Sequence, residues 1–133
     1  MVRAIMHGCN GYMGQVITGL IKDDAEIEIV AGIDLADCRD NGYPVYTNIQ
    51  DCHVEADVII DFASAKATDG LLAFGVERQI PMVLCTTGLT EEQLQAVDEA
   101  SKKVAVLKSA NMSLGVNMLL KLLKEAANIL APA

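Results

Sequence analysis

V-R-A-I-M-H-G-C-N-G-Y-M-G, residues 2–14, decides the fold. The apolar run Val2 to Met6 reads as a buried strand, and Gly8, Gly11 and Gly14 set a turn that opens at once into a helix. A strand, a glycine turn and a helix start in that order present unpaired backbone N–H groups and the positive end of a helix dipole to an anion; dinucleotide pyrophosphate is the usual occupant. Met13, Val16, Ile17, Leu20 and Ile21 fall at helical spacing, which predicts an amphipathic helix over Gly11 to Lys22 laid on a sheet. A second apolar run, Ile27 to Ile33, ends in Asp34, twenty residues beyond Gly14. There a βαβ unit places the carboxylate that accepts hydrogen bonds from adenosine ribose hydroxyls. The competing reading is a βαβ unit without nucleotide, in which Asp34 is a solvated strand end.

The remaining chain keeps alternating strand and helix signals. D-V-I-I-D-F, Asp57 to Phe62, reads as a buried strand, and Ser64 to Gln79 as a helix with Leu71, Leu72 and Val76 inward. Pro81 to Thr87 is the next strand and ends at Gly88. Thr90 starts a helix with a capping box, because Gln93 lies three residues on, and that helix runs to about Lys103. Val104 to Leu107 is another strand, Ser113 to Leu130 the last helix, and Leu35 to Asn48 an irregular connection with Gly42 and Pro44. An unbroken β-α-β-α order implies an α/β fold with a doubly wound parallel sheet, a Rossmann-like dinucleotide-binding domain.

Composition agrees with that architecture and narrows the partners. At 133 residues the chain has the length of one domain, and 52% hydrophobic with only 4% aromatic residues suits strands of Val, Ile, Leu and Ala buried on both faces. A formal net charge of −8 repels phosphate backbones and acidic bilayers, so neither nucleic acid nor membrane is expected as a partner. The chain shows no targeting segment and no membrane-length apolar run. Cys9, Cys38, Cys52 and Cys85 lack C-x-x-C spacing and a histidine cluster, which argues against zinc and against a disulfide framework. They read as reduced thiols of a cytoplasmic protein, with no metal site. Cys9 and Cys85 fall in loops assigned to the ligand, as small tolerated side chains or as reactive ones.

Ligands of such sheets bind beyond the carboxyl ends of the strands, which selects four clusters. They are Gly8 to Gly14, Asp34, the turn Cys85-Thr86-Thr87-Gly88, and Ser109-Ala110-Asn111-Met112-Ser113. Thr86 and Thr87 suit a nicotinamide carboxamide or a substrate carboxylate, or else they stabilise their own turn. Asn111 offers donors and an acceptor, or is a turn former. His7, at a strand end, is a candidate general acid or a packed core histidine, and His53 falls in a polar connection.

These motifs, taken in order, resemble the 4-hydroxy-tetrahydrodipicolinate reductase family, also called dihydrodipicolinate reductase. G-C-N-G-Y-M-G is similar to the family's G-x-x-G-x-M-G loop, and D-V-I-I-D-F to its D-V-x-I-D-F strand. C-T-T-G is similar to its G-T-T-G turn, and S-A-N-M-S-L-G-V-N to its A-x-N-F-S-x-G-V-N segment. The resemblance covers the whole chain. It implies cofactor contacts at Gly8, Cys9, Asn10, Gly11, Tyr12, Met13, Asp34, Cys85, Thr86, Thr87, Ser109, Ala110, Asn111 and Met112, with Thr87 also near a substrate carboxylate. It further implies hydride transfer from a reduced nicotinamide to a dipicolinate-derived ring, giving tetrahydrodipicolinate in lysine and diaminopimelate biosynthesis.

Four departures from the family pattern matter. Tyr12 stands where the family often has Arg, and Leu35 where some members carry a basic residue. Both remove a charge that holds a 2′-phosphate, so NADH is the expected cofactor, with NADPH as the lesser one. Cys85 replaces a glycine, which narrows the nicotinamide end of the cleft, and Met112 replaces an aromatic, losing a stacking surface. The resemblance also implies a second, substrate-binding domain carrying a His-His and Lys motif, which residues 1–133 lack. No catalytic residue is therefore expected in this chain, and homo-oligomers are expected only with that second domain. Met118, Leu122 and Ile129 form an extra apolar stripe on the helix Ser113 to Leu130, expected to be exposed or to meet another chain. Two other readings stay open: a stand-alone NAD(H) redox sensor, and a coenzyme A-binding module without catalysis. Asp34 argues against the latter, whose ribose carries a 3′-phosphate.

Overall fold

The computed structural model describes residues 2–24, 27–35, 42–86 and 88–108. Six strands, β1 Val2–His7, β2 Ile27–Ile33, β3 Val45–Tyr46, β4 Val58–Asp61, β5 Met82–Leu84 and β6 Val106–Lys108, form one sheet in the order β3-β2-β1-β4-β5-β6. Every pairing is parallel. Three helices connect them: α1 Tyr12–Lys22, α2 Thr68–Arg78 and α3 Glu91–Ser101. This is the doubly wound sheet that the alternating apolar runs predict.

Alternation along β1 explains why its sequence is apolar on both faces. Ala4 and Met6 pack with Ile17 and Ile21 of α1, whereas Ile5 packs with Leu71 and Phe74 of α2. Parallel strands covered by helices on both sides need such continuous apolar runs. Each large side chain so buried contributes about 1.5–3 kcal/mol. The capping box forms as read: Thr90 Oγ1 accepts from Gln93 N at 3.1 Å, and Gln93 Oε1 accepts from Thr90 N at 3.0 Å. Gln93 Nε2 also donates to Ala65 O at 2.6 Å, which ties the start of α3 to the segment before α2.

Several boundaries differ from expectation. The Leu35–Asn48 connection is not wholly irregular, because β3 forms within it and pairs with Gly32 and Ile33. A two-residue strand carries no periodicity to read. The helix expected from Ser64 begins as a 3-10 turn, Ala65–Ala67, before α2. The last strand starts at Val106 rather than Val104, since Val104 N still donates to Ala100 O at 3.0 Å at the end of α3. The helix expected over Ser113 to Leu130, with Met118, Leu122 and Ile129, lies outside the described residues, as does Cys38.

Thr68, the first residue of α2, buries its Oγ1 with no hydrogen-bond partner among the described residues. An unpaired buried hydroxyl costs about 1–3 kcal/mol. Thr68→Val keeps the branched shape and is expected to stabilise the fold by about 1 kcal/mol, read as a higher urea midpoint. A lower midpoint contradicts this.

Candidate functional site

The chain leaves β1 toward β2 and β3 on one side of the sheet and passes through β4 to β5 and β6 on the other. A crevice therefore opens beyond the carboxyl ends of β1 and β4. Gly8 follows β1 with φ +85°, and a Cβ there would stand 2.7 Å from Ala63 N, so only glycine lets the loops after β1 and β4 meet. The crevice holds about 700 Å³ and is lined by Gly8, Asn10, Asp34, Asn48, Ala63 and Lys66 among others. That volume suits a small organic ligand.

Most amides of the glycine loop are already paired within the fold. Gly8 N donates to Ile33 O at 2.7 Å, Cys9 N to the same oxygen at 3.4 Å, and Gly11 N to Gly8 O at 3.2 Å. Asn10 N donates to Asp34 Oδ2 at 2.8 Å. The unspent donors begin at α1. Gly11 caps that helix without a side-chain hydrogen bond, and the turn closes with Gln15 N on Gly11 O at 2.9 Å. Tyr12, Met13 and Gly14 thus keep N–H groups without an intrahelical partner, at the positive end of the dipole.

Asp34 has a structural task beside its expected one. Besides Asn10 N, it accepts Leu35 N on Oδ1 at 2.7 Å. Two bonds leave a carboxylate with acceptor sites to spare, and Asp34 stays partly accessible on the crevice wall. First-turn amides, a carboxylate with free lone pairs and a glycine-lined crevice together fit a nucleoside diphosphate. Lys66, a cation on the same wall, was not singled out by the sequence because it lies more than thirty residues from Asp34.

Tyr12 and Leu35 are both strongly exposed, at 83% and 92%. Cys9 and Cys85 turn inward. Burial first and the nearby Asp34 second push the Cys9 thiol up to about 11. Burial and then Asp61 push Cys85 up to about 12. Gly32 has no room for a side chain because Cys9 lies against it: a Cβ at Gly32 would stand 2.7 Å from Cys9 Sγ. With so little thiolate, both cysteines are expected to resist iodoacetamide at pH 8 in the folded protein and to react once urea unfolds it. Peptide-resolved mass spectrometry reads this, and labelling of either in the native state contradicts it.

The structure brings together three polar residues that the sequence did not connect. His7 Nδ1 lies 2.8 Å from Asp61 Oδ1, which also accepts Ala63 N at 3.0 Å. Thr86 Oγ1 lies 2.7 Å from Asp61 Oδ2 and 2.8 Å from Ala63 O. The Thr86 hydroxyl therefore spends its proton on the segment after β4 rather than on its own turn, and keeps its lone pairs. Asp61 gave no local signal, since both of its side-chain partners lie at least 25 residues away. Thr87, Ser109, Ala110, Asn111 and Met112 lie outside the described residues. No helix among the described residues is long and apolar enough to cross a membrane.

Residues 2–112 match the family described as dihydrodipicolinate reductase, N-terminus. The chain belongs to the dihydrodipicolinate reductase family. It is 48% identical over 130 residues to the 4-hydroxy-tetrahydrodipicolinate reductase of Caldanaerobacter subterraneus subsp. tengcongensis, covering 98% of this chain and 51% of that protein. The chain spans about half the length of the curated reductases it matches. Among solved structures, the dipicolinate-bound dihydrodipicolinate reductase of Paenisporosarcina sp. TG-14 superposes with TM-score 0.73 at 23% identity, covering 96% of this chain and 54% of that one. The WlbA dehydrogenase of Chromobacterium violaceum, in complex with NADH and UDP-GlcNAcA, does so with TM-score 0.62 at 20% identity, covering 94% and 39%. Both likenesses carry the fold that the strand order of this reductase-family chain already displays.

Proposed function

We propose that residues 1–133 form the dinucleotide-binding half of a two-domain 4-hydroxy-tetrahydrodipicolinate reductase. The carrying observation is that the unpaired amides at the start of α1 and the Asp34 carboxylate flank one glycine loop. The amides of Tyr12 and Met13 bind the pyrophosphate, Asp34 accepts from the adenosine ribose, and the backbone of Cys85 to Thr87 and Ser109 to Met112 orients the nicotinamide ring. Thr87 approaches a substrate carboxylate. The bound nicotinamide supplies a hydride for the dipicolinate-derived ring. This chain contributes binding and orientation, and the acid and carboxylate clamp belong to the second domain.

NADH is the expected cofactor, since a 2′-phosphate against Asp34 meets like charge, at a cost on the order of 1 kcal/mol in a partly screened site. Calorimetric titration is expected to show NADH binding about fivefold tighter than NADPH, with the difference lost in Asp34→Asn. Equal or tighter NADPH binding in the unaltered chain overturns the preference. The 133-residue chain by itself is expected to bind NADH without oxidising it when the substrate is added, and single-turnover oxidation would contradict that division of labour.

A further inference from the structure

We propose that His7 is a contact residue of this crevice, its Nε2 hydrogen-bonding a ribose hydroxyl of the bound dinucleotide. The inference rests on the dinucleotide reading above. His7 ends β1, is 5% exposed, and lines the crevice with Gly8 and Ala63. Its Nδ1 is committed to Asp61, whose carboxylate is itself immobilised by Ala63 N and the Thr86 hydroxyl. A carboxylate only accepts, so the bond puts a proton on Nδ1 and fixes the plane of the ring.

Nε2 is then the nitrogen left over. It has no partner among the described residues, yet it is not sealed, because the sole buried and unpaired side-chain nitrogen or oxygen among them is Thr68 Oγ1. An imidazole oriented by a carboxylate in this way is how proteins preset a ring for a ligand. The pyrophosphate already has the amides of α1. A hydroxyl both donates and accepts, so it pairs with Nε2 whether or not that nitrogen carries a proton. Asp61 is in this arrangement a positioning residue that acts through His7.

The chain has only two histidines, His7 and the exposed His53, whose Nδ1 lies 3.0 Å from Arg78 Nη2. Protein labelled with ¹⁵N-histidine therefore gives a two-ring spectrum in two-bond ¹H–¹⁵N correlation. The His7 ring is expected to carry its proton on Nδ1 in the free protein, and saturating NADH is expected to shift Nε2 of His7 while His53 stays still. Titration with AMP alone separates the two riboses: a shift with AMP assigns the adenosine ribose, and a shift with NADH only assigns the nicotinamide ribose. His7→Phe is expected to weaken NADH binding about five- to tenfold. If calorimetry shows NADH bound and Nε2 does not move, or if the free ring is protonated on Nε2 alone, the His7 contact is wrong while the dinucleotide reading stands. If no NADH binds, both fall.

Discussion

Gly14→Ala is expected to destabilise the domain by about 3 kcal/mol or more, although alanine is the better helix former by about 1 kcal/mol. A Cβ at Gly14 would overlap Gly8 O and stand 2.7 Å from Cys9 O and 2.8 Å from Cys9 C. These are backbone atoms, and no rotamer change moves them. Either α1 shifts off the loop, taking the amides of Tyr12 and Met13 with it, or the loop loses its hydrogen bonds to Ile33. Gly19→Ala, on the same helix, has nothing within 4 Å of its Cβ and is exposed. That change is expected to stabilise by up to about 1 kcal/mol. Urea unfolding of the two variants should therefore move in opposite directions. Similar midpoints for both would mean that the close approach of Gly14 to the loop carries no weight.

Asp61→Ala is the second large effect, expected to cost about 3–5 kcal/mol, because it strips a buried acceptor from His7, Ala63 N and Thr86 together. Asp61→Asn separates geometry from charge. Its oxygen can still accept from His7 and Ala63, while its NH₂ donates to Thr86 Oγ1 and frees that hydroxyl for Ala63 O, 2.8 Å away. All bonds are retained and only their charge assistance is lost, so the expected cost falls to about 1–2 kcal/mol. Equal losses for alanine and asparagine would show that the negative charge, not the hydrogen-bond set, holds the three strand ends.

Legibility followed the range of the interaction. The glycine turn and the Thr90–Gln93 box are each written within a few residues and form where the residues place them, whereas of the expected face of α1 only Ile17 and Ile21 are buried and Met13, Val16 and Leu20 stay half-buried. The strand edges were less legible: β4 and β5 are shorter than the apolar runs that contain them. β4 stops before Phe62 and β5 starts after Pro81, although Phe62 N still donates to His7 O at 3.0 Å and Pro81 O accepts from Ile59 N at 2.9 Å, so these residues join the sheet by single bonds at its margin. Lys66 and Asp61 were silent for the same reason, since nothing near them in the chain marks what they face.

The sequence by itself determined the fold class, the position of the glycine turn behind β1, and Asp34 at the end of β2, because periodicity and spacing are local quantities. Only the tertiary structure decided which amides are spent. Gly8 and Cys9 give theirs to Ile33 O and Asn10 gives its own to Asp34, so the anion-facing donors move to the first turn of α1. It also decided that His7, Asp61 and Thr86 form one buried group. Their separations of 54 and 25 residues close only when β1, β4 and β5 pair in parallel and bring three strand ends to the same edge. Hydrogen bonds between residues that far apart depend on the register of the whole sheet, which no single stretch of sequence encodes.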